Sequence, residues 1–92
     1  MIVSYACKDT ADLYITMKSR RWRSIERVAL RKLVYLNGVV ALEGLRSPPG
    51  NRLEALVGDR AGQYSIRVND QWRICFRWDA GNAHDVEIVD YH

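Results

Sequence analysis

The chain has 92 residues, of which 48% are hydrophobic and 27% charged, the composition of a single globular domain. This length excludes a multidomain enzyme, and we predict one domain over residues 1–92. The longest uncharged apolar stretch, residues 33–42, is far shorter than the roughly 20 residues that a membrane helix needs. The first nine residues show no pattern of a signal or transit peptide, so we expect a cytoplasmic protein without membrane contact.

Cysteine and arginine usage restricts the possible chemistry. Cys7 and Cys75 cannot form a metal site by themselves, so we expect two reduced thiols and neither metal nor cofactor. Eleven arginines stand against three lysines, and the planar guanidinium group binds phosphate through two hydrogen bonds. Residues 17–32 carry seven basic side chains against Glu26, a net charge of +6. Such a segment indicates a polyanionic or acidic partner, with a solvated helix face as the alternative.

The N-terminal half is predicted to be mainly helical. A short strand near Ile2 to Tyr5 precedes a brief helix over residues 11–19. A longer helix is predicted over residues 24–45, because apolar side chains recur there at steps of three and four. These side chains are Ile25, Ala29, Leu33, Leu36 and Val40, and they predict the face that packs into the core.

Four arginines recur at the same helical spacing on another face: Arg20, Arg23, Arg27 and Arg31. If the helix extends back to Arg20, they form a continuous basic ridge directed toward solvent or a partner.

The C-terminal half is predicted to be a sheet. Pro48 and Pro49 must end the long helix, because proline lacks a backbone donor and restricts the residue before it. Strands are predicted over residues 52–57, 64–68, 72–78 and 85–91. The order of elements predicts an α+β fold, with two N-terminal helices packed on one face of a mainly antiparallel sheet.

Burial fixes the register of the hairpin at residues 69–71. A three-residue loop places Ile66 opposite Ile74, and it then sets Arg67 directly opposite Arg73 on the reverse face. Like charges that face each other across a ladder are destabilising. The pair therefore indicates either a phosphate site or two arginines that turn to separate carboxylates.

The C-terminus carries acid and base groups at the end of the last predicted strand. Asp90, Tyr91 and His92 follow one another there, and His92 also carries the terminal carboxylate, which favours its protonated form. The alternative is a frayed terminus without a function.

Three sequence blocks, GDRAGQYSIRVN at residues 58–69, QWRICF at 71–76 and VEIVDYH at 86–92, resemble the HigB-type toxins of the RelE/ParE superfamily. The resemblance implies the compact RelE-like, microbial-ribonuclease-like α+β fold. It also implies metal-independent cleavage of messenger RNA on the translating ribosome, which inhibits translation. The implied partners are ribosomal RNA and a HigA-type helix-turn-helix antitoxin, which alone would contact operator DNA.

Roles follow from this resemblance residue by residue. Arg73 would stabilise charge on the phosphate, and Arg67 would assist it by the register given above. His92 would act as acid or base, Tyr91 would orient the substrate or help proton transfer, and Asp90 would position them. Some family members carry a histidine and a lysine where this sequence has Glu54 and Val57, so Glu54 is either a base or a surface residue.

Two other functions fit parts of the sequence. The ParE branch of the superfamily inhibits DNA gyrase by binding, and such a toxin needs neither Arg73 nor the Tyr91–His92 end. A simple RNA-binding module would need exposed stacking aromatics, whereas Tyr64, Trp72, Phe76 and Trp78 are predicted to face the core. The basic ridge fits ribosomal RNA better than the antitoxin, because phosphate contacts require no base reading.

Overall fold

The computed structural model describes residues 1–90 and confirms the predicted α+β class. Two helices, α1 (Lys8–Thr16) and α2 (Glu26–Gly38), precede four strands: β1 (Glu54–Ala55), β2 (Tyr64–Arg67), β3 (Trp72–Asp79) and β4 (Asn82–Asp90). Short 3-10 helices lie at Leu42–Arg46, Pro49–Asn51 and Gly58–Arg60. The strands form one antiparallel sheet in the order β1-β2-β3-β4.

The chain's first residues extend this sheet only loosely. The predicted N-terminal strand is reduced to two isolated parallel bridges, Ile2 to Ala83 and Tyr5 to Val86, along the outer side of β4. The predicted strand over residues 52–57 is likewise reduced to Glu54–Ala55, since 3-10 helices form on both sides of it.

The predicted long second helix is wrong in its C-terminal third. Helix α2 ends at Gly38, and Val39 is extended with φ −72° and ψ 143°. Glycine is a poor helix former, and the preceding Asn37 uses its side-chain oxygen to accept a hydrogen bond from the Ile2 amide at 2.9 Å. Val40, predicted to lie in the core, is consequently 88% exposed. The first helix also begins earlier than predicted, at Lys8, and ends where Met17 adopts φ 63°.

The core lies between the two helices and one face of the sheet. Ala29, Leu33 and Leu36 of α2 are fully buried, as their spacing predicted. They pack with Leu13 and with the inward side chains of the sheet, which are Ile66, Ile74, Phe76, Val86 and Ile88. Tyr64, Trp72 and Trp78 are partly buried against this core, so the sheet aromatics face inward as predicted. Among residues 1–90, no helix has the length and apolar character to cross a membrane.

Candidate functional site

The predicted hairpin register is confirmed. Tyr64 pairs with Phe76, Ile66 with Ile74, and Arg67 with Arg73. Because successive side chains of a strand alternate between the two faces, the burial of Ile66 and Ile74 places both arginines on the opposite face of the sheet. The sequence therefore brings two positive charges together at one level of the sheet.

Arg73 is held by neutral oxygen atoms. Its side chain is buried, and its Nε donates a hydrogen bond to Ser65 Oγ at 2.7 Å. Its Nη2 donates to the backbone carbonyl of Arg52 at 2.6 Å. That carbonyl belongs to a residue with φ 45° and ψ 57°, a left-handed conformation that non-glycine residues rarely adopt. The two hydrogen bonds fix the orientation of the guanidinium group without cancelling its charge.

Each arginine of the pair also has a carboxylate nearby. Arg67 donates to Asp70, and this hydrogen bond, with the charge of Arg67, lowers the pKa of the Asp70 carboxyl below its usual value. Glu54 Oε1 lies 3.9 Å from Arg73 Nη2, and the Glu54 side chain is 50% exposed. This arrangement matches the second of the two predicted possibilities, in which the arginines turn to separate carboxylates. An exposed carboxylate at 3.9 Å is a weak partner.

More positive charge surrounds the pair on the side of α2. Lys32 donates a hydrogen bond to Oδ1 of the fully buried Asn51. Burial, and then the neighbouring charges of Arg31 and Arg67, lower the pKa of the Lys32 ammonium group. Arg31, Lys32 and Arg67 thus form one basic neighbourhood that extends from the sheet to the helix.

Asp90 lies at the end of β4. It pairs with Trp72, while its neighbour Val89 pairs with Arg73. Since cross-strand partners share a face, the register places Asp90 on the Trp72 face of the sheet and not on the Arg73 face. Gln71 Nε2 donates a hydrogen bond to Asp90 Oδ2 at 3.1 Å. The predicted site residues Tyr91 and His92 lie outside the described residues.

The predicted continuous basic ridge is wrong in its N-terminal half. Helix α2 begins at Glu26, so Arg20 and Arg23 lie in the preceding turn, and only Arg27 and Arg31 are on the helix. The cause is local, since Ser19 Oγ accepts a hydrogen bond from the Trp22 amide, and Glu26 accepts one from the Ser19 amide. Lys18, Ser19, Arg20, Arg23 and Glu26 line an open cleft of about 590 Å³. Within residues 1–90, none of these four arginines forms an ion pair.

Three residues that support the site were not predicted from the sequence: Ser65, Asn51 and Arg52. Ser65 could have been found, because it stands two residues before Arg67 and the same alternation places it on the face of Arg73. Asn51 and the Arg52 carbonyl act through the fold of one loop, which has no sequence signal of this kind.

Comparison with known proteins identifies the family. A family model described as the RelE-like toxin of type II toxin-antitoxin system HigB matches residues 9–92. Toxin HigB-1 of Vibrio cholerae is 50% identical over 60 residues, which are 65% of this chain and 63% of that protein. Endoribonuclease HigB of Proteus vulgaris is 44% identical over 41 residues, 45% of each chain. The chain therefore covers less than two thirds of either relative.

Solved structures share the fold. A chain in the crystal structure of the heterotetrameric YoeB-YefM toxin-antitoxin complex from Staphylococcus aureus superposes with a TM-score of 0.62 at 15% identity, covering 100% of this chain and 98% of that one. A second YoeB-YefM structure from the same organism gives a TM-score of 0.57. This likeness confirms the predicted RelE-like fold. With the match over residues 9–92, it follows that the chain belongs to the HigB-like toxin family of type II toxin-antitoxin systems.

Proposed function

We propose that this chain is the toxin of a type II toxin-antitoxin system and a metal-independent endoribonuclease that cleaves messenger RNA on the ribosome and so inhibits translation. Family membership and the relative named endoribonuclease HigB support the proposal. The observation that carries it is the cross-strand pair of Arg67 and Arg73, with Glu54 3.9 Å from Arg73. Asp70 and Glu54 each lie near one of these like charges, whereas a phosphodiester is an anion that both guanidinium groups can bind at once.

The proposed reaction uses the 2′-hydroxyl of the RNA as its nucleophile. A base removes the hydroxyl proton, the 2′-oxygen bonds to phosphorus, and the bond to the 5′-oxygen breaks while an acid gives that oxygen a proton. The product carries a cyclic phosphate, and no water enters this step. Cations stabilise the extra negative charge on the phosphorus oxygens in the transition state.

Arg73 and Arg67 have the charge and position to stabilise that transition state. The fixed orientation of Arg73 suits this role, because preorganised groups need no rearrangement during the reaction. Glu54 is our candidate base, and His92 serves as the acid or as a second base. Tyr91 orients the substrate, and Asp90 positions its neighbours at the end of β4.

The four arginines Arg20, Arg23, Arg27 and Arg31 supply the proposed contact with ribosomal RNA. Their exposure on the turn and the helix suits phosphate contacts, which depend strongly on salt. We also propose a HigA-type helix-turn-helix antitoxin as the protein partner, through which the toxin reaches operator DNA only indirectly.

The test is primer extension on messenger RNA, with translating ribosomes and with naked RNA. The wild type is compared with Arg73→Ala, Arg67→Ala and a chain that lacks His92, each checked for folding by circular dichroism. We expect the wild type to cut at ribosome-occupied codons, and we expect these cuts to disappear in the three variants. Growth arrest on expression without any cut would contradict the proposal and favour inhibition of gyrase by binding.

Two further variants separate the roles. Glu54→Gln should slow single-turnover cleavage, and an unchanged rate would remove Glu54 from the mechanism. The double change Arg23→Glu and Arg27→Glu should weaken binding to ribosomes while leaving the catalytic groups in place. Unchanged ribosome affinity would assign these side chains to another partner.

A further inference from the structure

A preformed groove lies between α2 and the loop that follows it, beside the arginine pair. It has a volume of about 250 Å³ and is lined by Arg31, Lys32, Tyr35, Pro48 and Asn51. This is slightly below the roughly 300 Å³ at which sites for drug-sized ligands begin, so the groove suits a smaller planar group. The proposed roles given above do not use Tyr35, Pro48 or Asn51.

Hydrogen bonds hold the walls of the groove in place. The Tyr35 hydroxyl donates toward the carbonyl oxygens of Gly44 and Ser47, at 2.9 and 2.7 Å. Asn51 is fully buried, and its Nδ2 donates to the carbonyls of Leu45 and Ser47 at 3.2 and 3.3 Å. The loop is thereby tied to α2, and the position of the Tyr35 ring is set before any ligand binds. A ligand would pay little ordering entropy in such a groove.

The charge of the groove is positive. Arg31 is exposed at its edge, and Lys32 is half-buried beside it. The charge of Arg67 is near enough to help lower the pKa of Lys32. Within residues 1–90, none of the side chains that line the groove is acidic. An anionic ligand with a flat apolar part therefore complements this surface.

The groove and the arginine pair share one loop of the chain. Asn51 lines the groove, and the next residue, Arg52, gives its carbonyl to Arg73. One loop therefore forms a wall of the groove and also contacts Arg73, which places the groove near the arginine pair.

We propose that the groove binds one nucleotide of single-stranded RNA adjacent to the cleaved phosphate, with the base against Tyr35 and Pro48 and the phosphate at Arg31 and Lys32. Arg31 then belongs to the groove, and Arg20, Arg23 and Arg27 remain for ribosomal RNA. This inference rests on the proposed function, because it assumes that RNA occupies the arginine pair. Stacking on a tyrosine ring is available to every base, so the groove adds affinity without strong sequence preference. An acidic protein segment would complement the positive charge of the groove, but it would not stack on the rings of Tyr35 and Pro48.

Binding of an RNA that cannot be cleaved tests the groove separately from catalysis. The probe is a fluorescein-labelled 2′-O-methyl RNA of about ten nucleotides, which lacks the nucleophilic hydroxyl, and the readout is fluorescence anisotropy over a range of salt concentrations. Tyr35→Leu should weaken binding at least about fivefold, the lower end of the range for loss of base stacking. Tyr35→Phe, which keeps the ring and removes the hydroxyl, should stay within about twofold of the wild type.

The contribution of the Arg31 charge is tested with the same labelled RNA. Arg31→Gln should weaken binding and reduce the slope of log affinity against log salt by about 0.7, the value for one phosphate contact on a single strand. Arg77→Gln is the matched control, since Arg77 is exposed on β3 and pairs with Asp85 at 3.5 Å, away from the groove. It should bind like the wild type.

Several outcomes would overturn the proposal. Wild-type affinity in both Tyr35→Leu and Arg31→Gln would exclude RNA from the groove, as would the absence of binding by the wild type at low salt. Equal losses in Tyr35→Leu and Tyr35→Phe would reduce Tyr35 to an anchor of the loop. Loss of antitoxin binding with normal RNA binding would assign the groove to the protein partner. The proposed nuclease activity is judged independently, by the primer-extension cuts of the wild type and Arg73→Ala.

Discussion

The anchoring of Arg73 by Ser65 gives a measurable prediction. Ser65 is fully buried, and its Oγ accepts a hydrogen bond from Nε of Arg73, a residue that is itself only 7% exposed. Ser65→Ala leaves that charged donor buried without this acceptor. A hydrogen bond to a charged group contributes about 1.5–3 kcal/mol, so we expect the free energy of unfolding to fall by about 2 kcal/mol. For a domain of this size, that corresponds to a fall in Tm of roughly 8–16 °C.

A double-mutant cycle in urea unfolding separates this hydrogen bond from a general packing defect. The cycle combines Ser65→Ala with Arg73→Met, which removes the charge and keeps an unbranched chain of carbon and sulfur. We expect a coupling free energy of about 1–2 kcal/mol, because the double variant no longer buries an unsatisfied donor. The exposed Ser24→Ala is the control and should change stability by less than about 0.5 kcal/mol. Additive effects within about 0.5 kcal/mol would refute the assigned hydrogen bond.

Three further predictions concern the rest of the fold. Ala80 and Gly81 form a two-residue turn with φ 51° and 80°, and asparagine tolerates a positive φ better than alanine does. Ala80→Asn should therefore raise the free energy of unfolding by about 0.5–1 kcal/mol. An unchanged midpoint of urea unfolding would contradict this. The hydrogen bond with Arg67 lowers the pKa of the Asp70 carboxyl in the folded protein. The stability that this ion pair contributes is therefore fully present above the ordinary pKa of aspartate, and it is lost as the pH falls through the lower pKa of the folded state. Asp70→Asn should therefore lose less stability than the wild type in urea titrations over that acid range, and identical losses would contradict the pairing. Burial raises the pKa of the Cys75 thiol, so a thiol reagent should modify only Cys7 rapidly in the native protein, whereas rapid labelling of Cys7→Ser would show that Cys75 is accessible.

The fold was predictable where burial imposes a period on the sequence. The step of three and four from Ile25 to Leu36 located the buried face of α2. The alternation in β2 and β3 fixed the register of the hairpin, because a slip of one residue would expose Ile66 and Ile74. Both results depend only on which side chains must leave water, and the sequence contains that information directly.

Element ends were less predictable, because they depend on contacts between distant residues. Val40 continues the helical period beyond Leu36, yet α2 stops at Gly38, where Asn37 binds the amide of Ile2 from the other end of the chain. Leu45, beyond the end of α2, is buried because a separate 3-10 helix brings it into the core. Arg20 and Arg23 lie outside the helix for a local reason, since hydrogen bonds among Ser19, Trp22 and Glu26 form a turn before α2 begins.

In the site, the position of the charges was predictable from the sequence, but the contacts that orient them were not. The sequence predicted that Arg67 and Arg73 face each other, since that follows from the register alone. It did not predict that the Arg52 carbonyl would orient Arg73, because a backbone oxygen has no side chain to mark it and arginine is uncommon at positive φ. Hydrogen bonds to the neutral oxygens of Ser65 and Arg52 aim the guanidinium group while its positive charge persists. Because both acceptors are neutral, they orient the group without adding to the negative charge that Glu54 already places 3.9 Å from it.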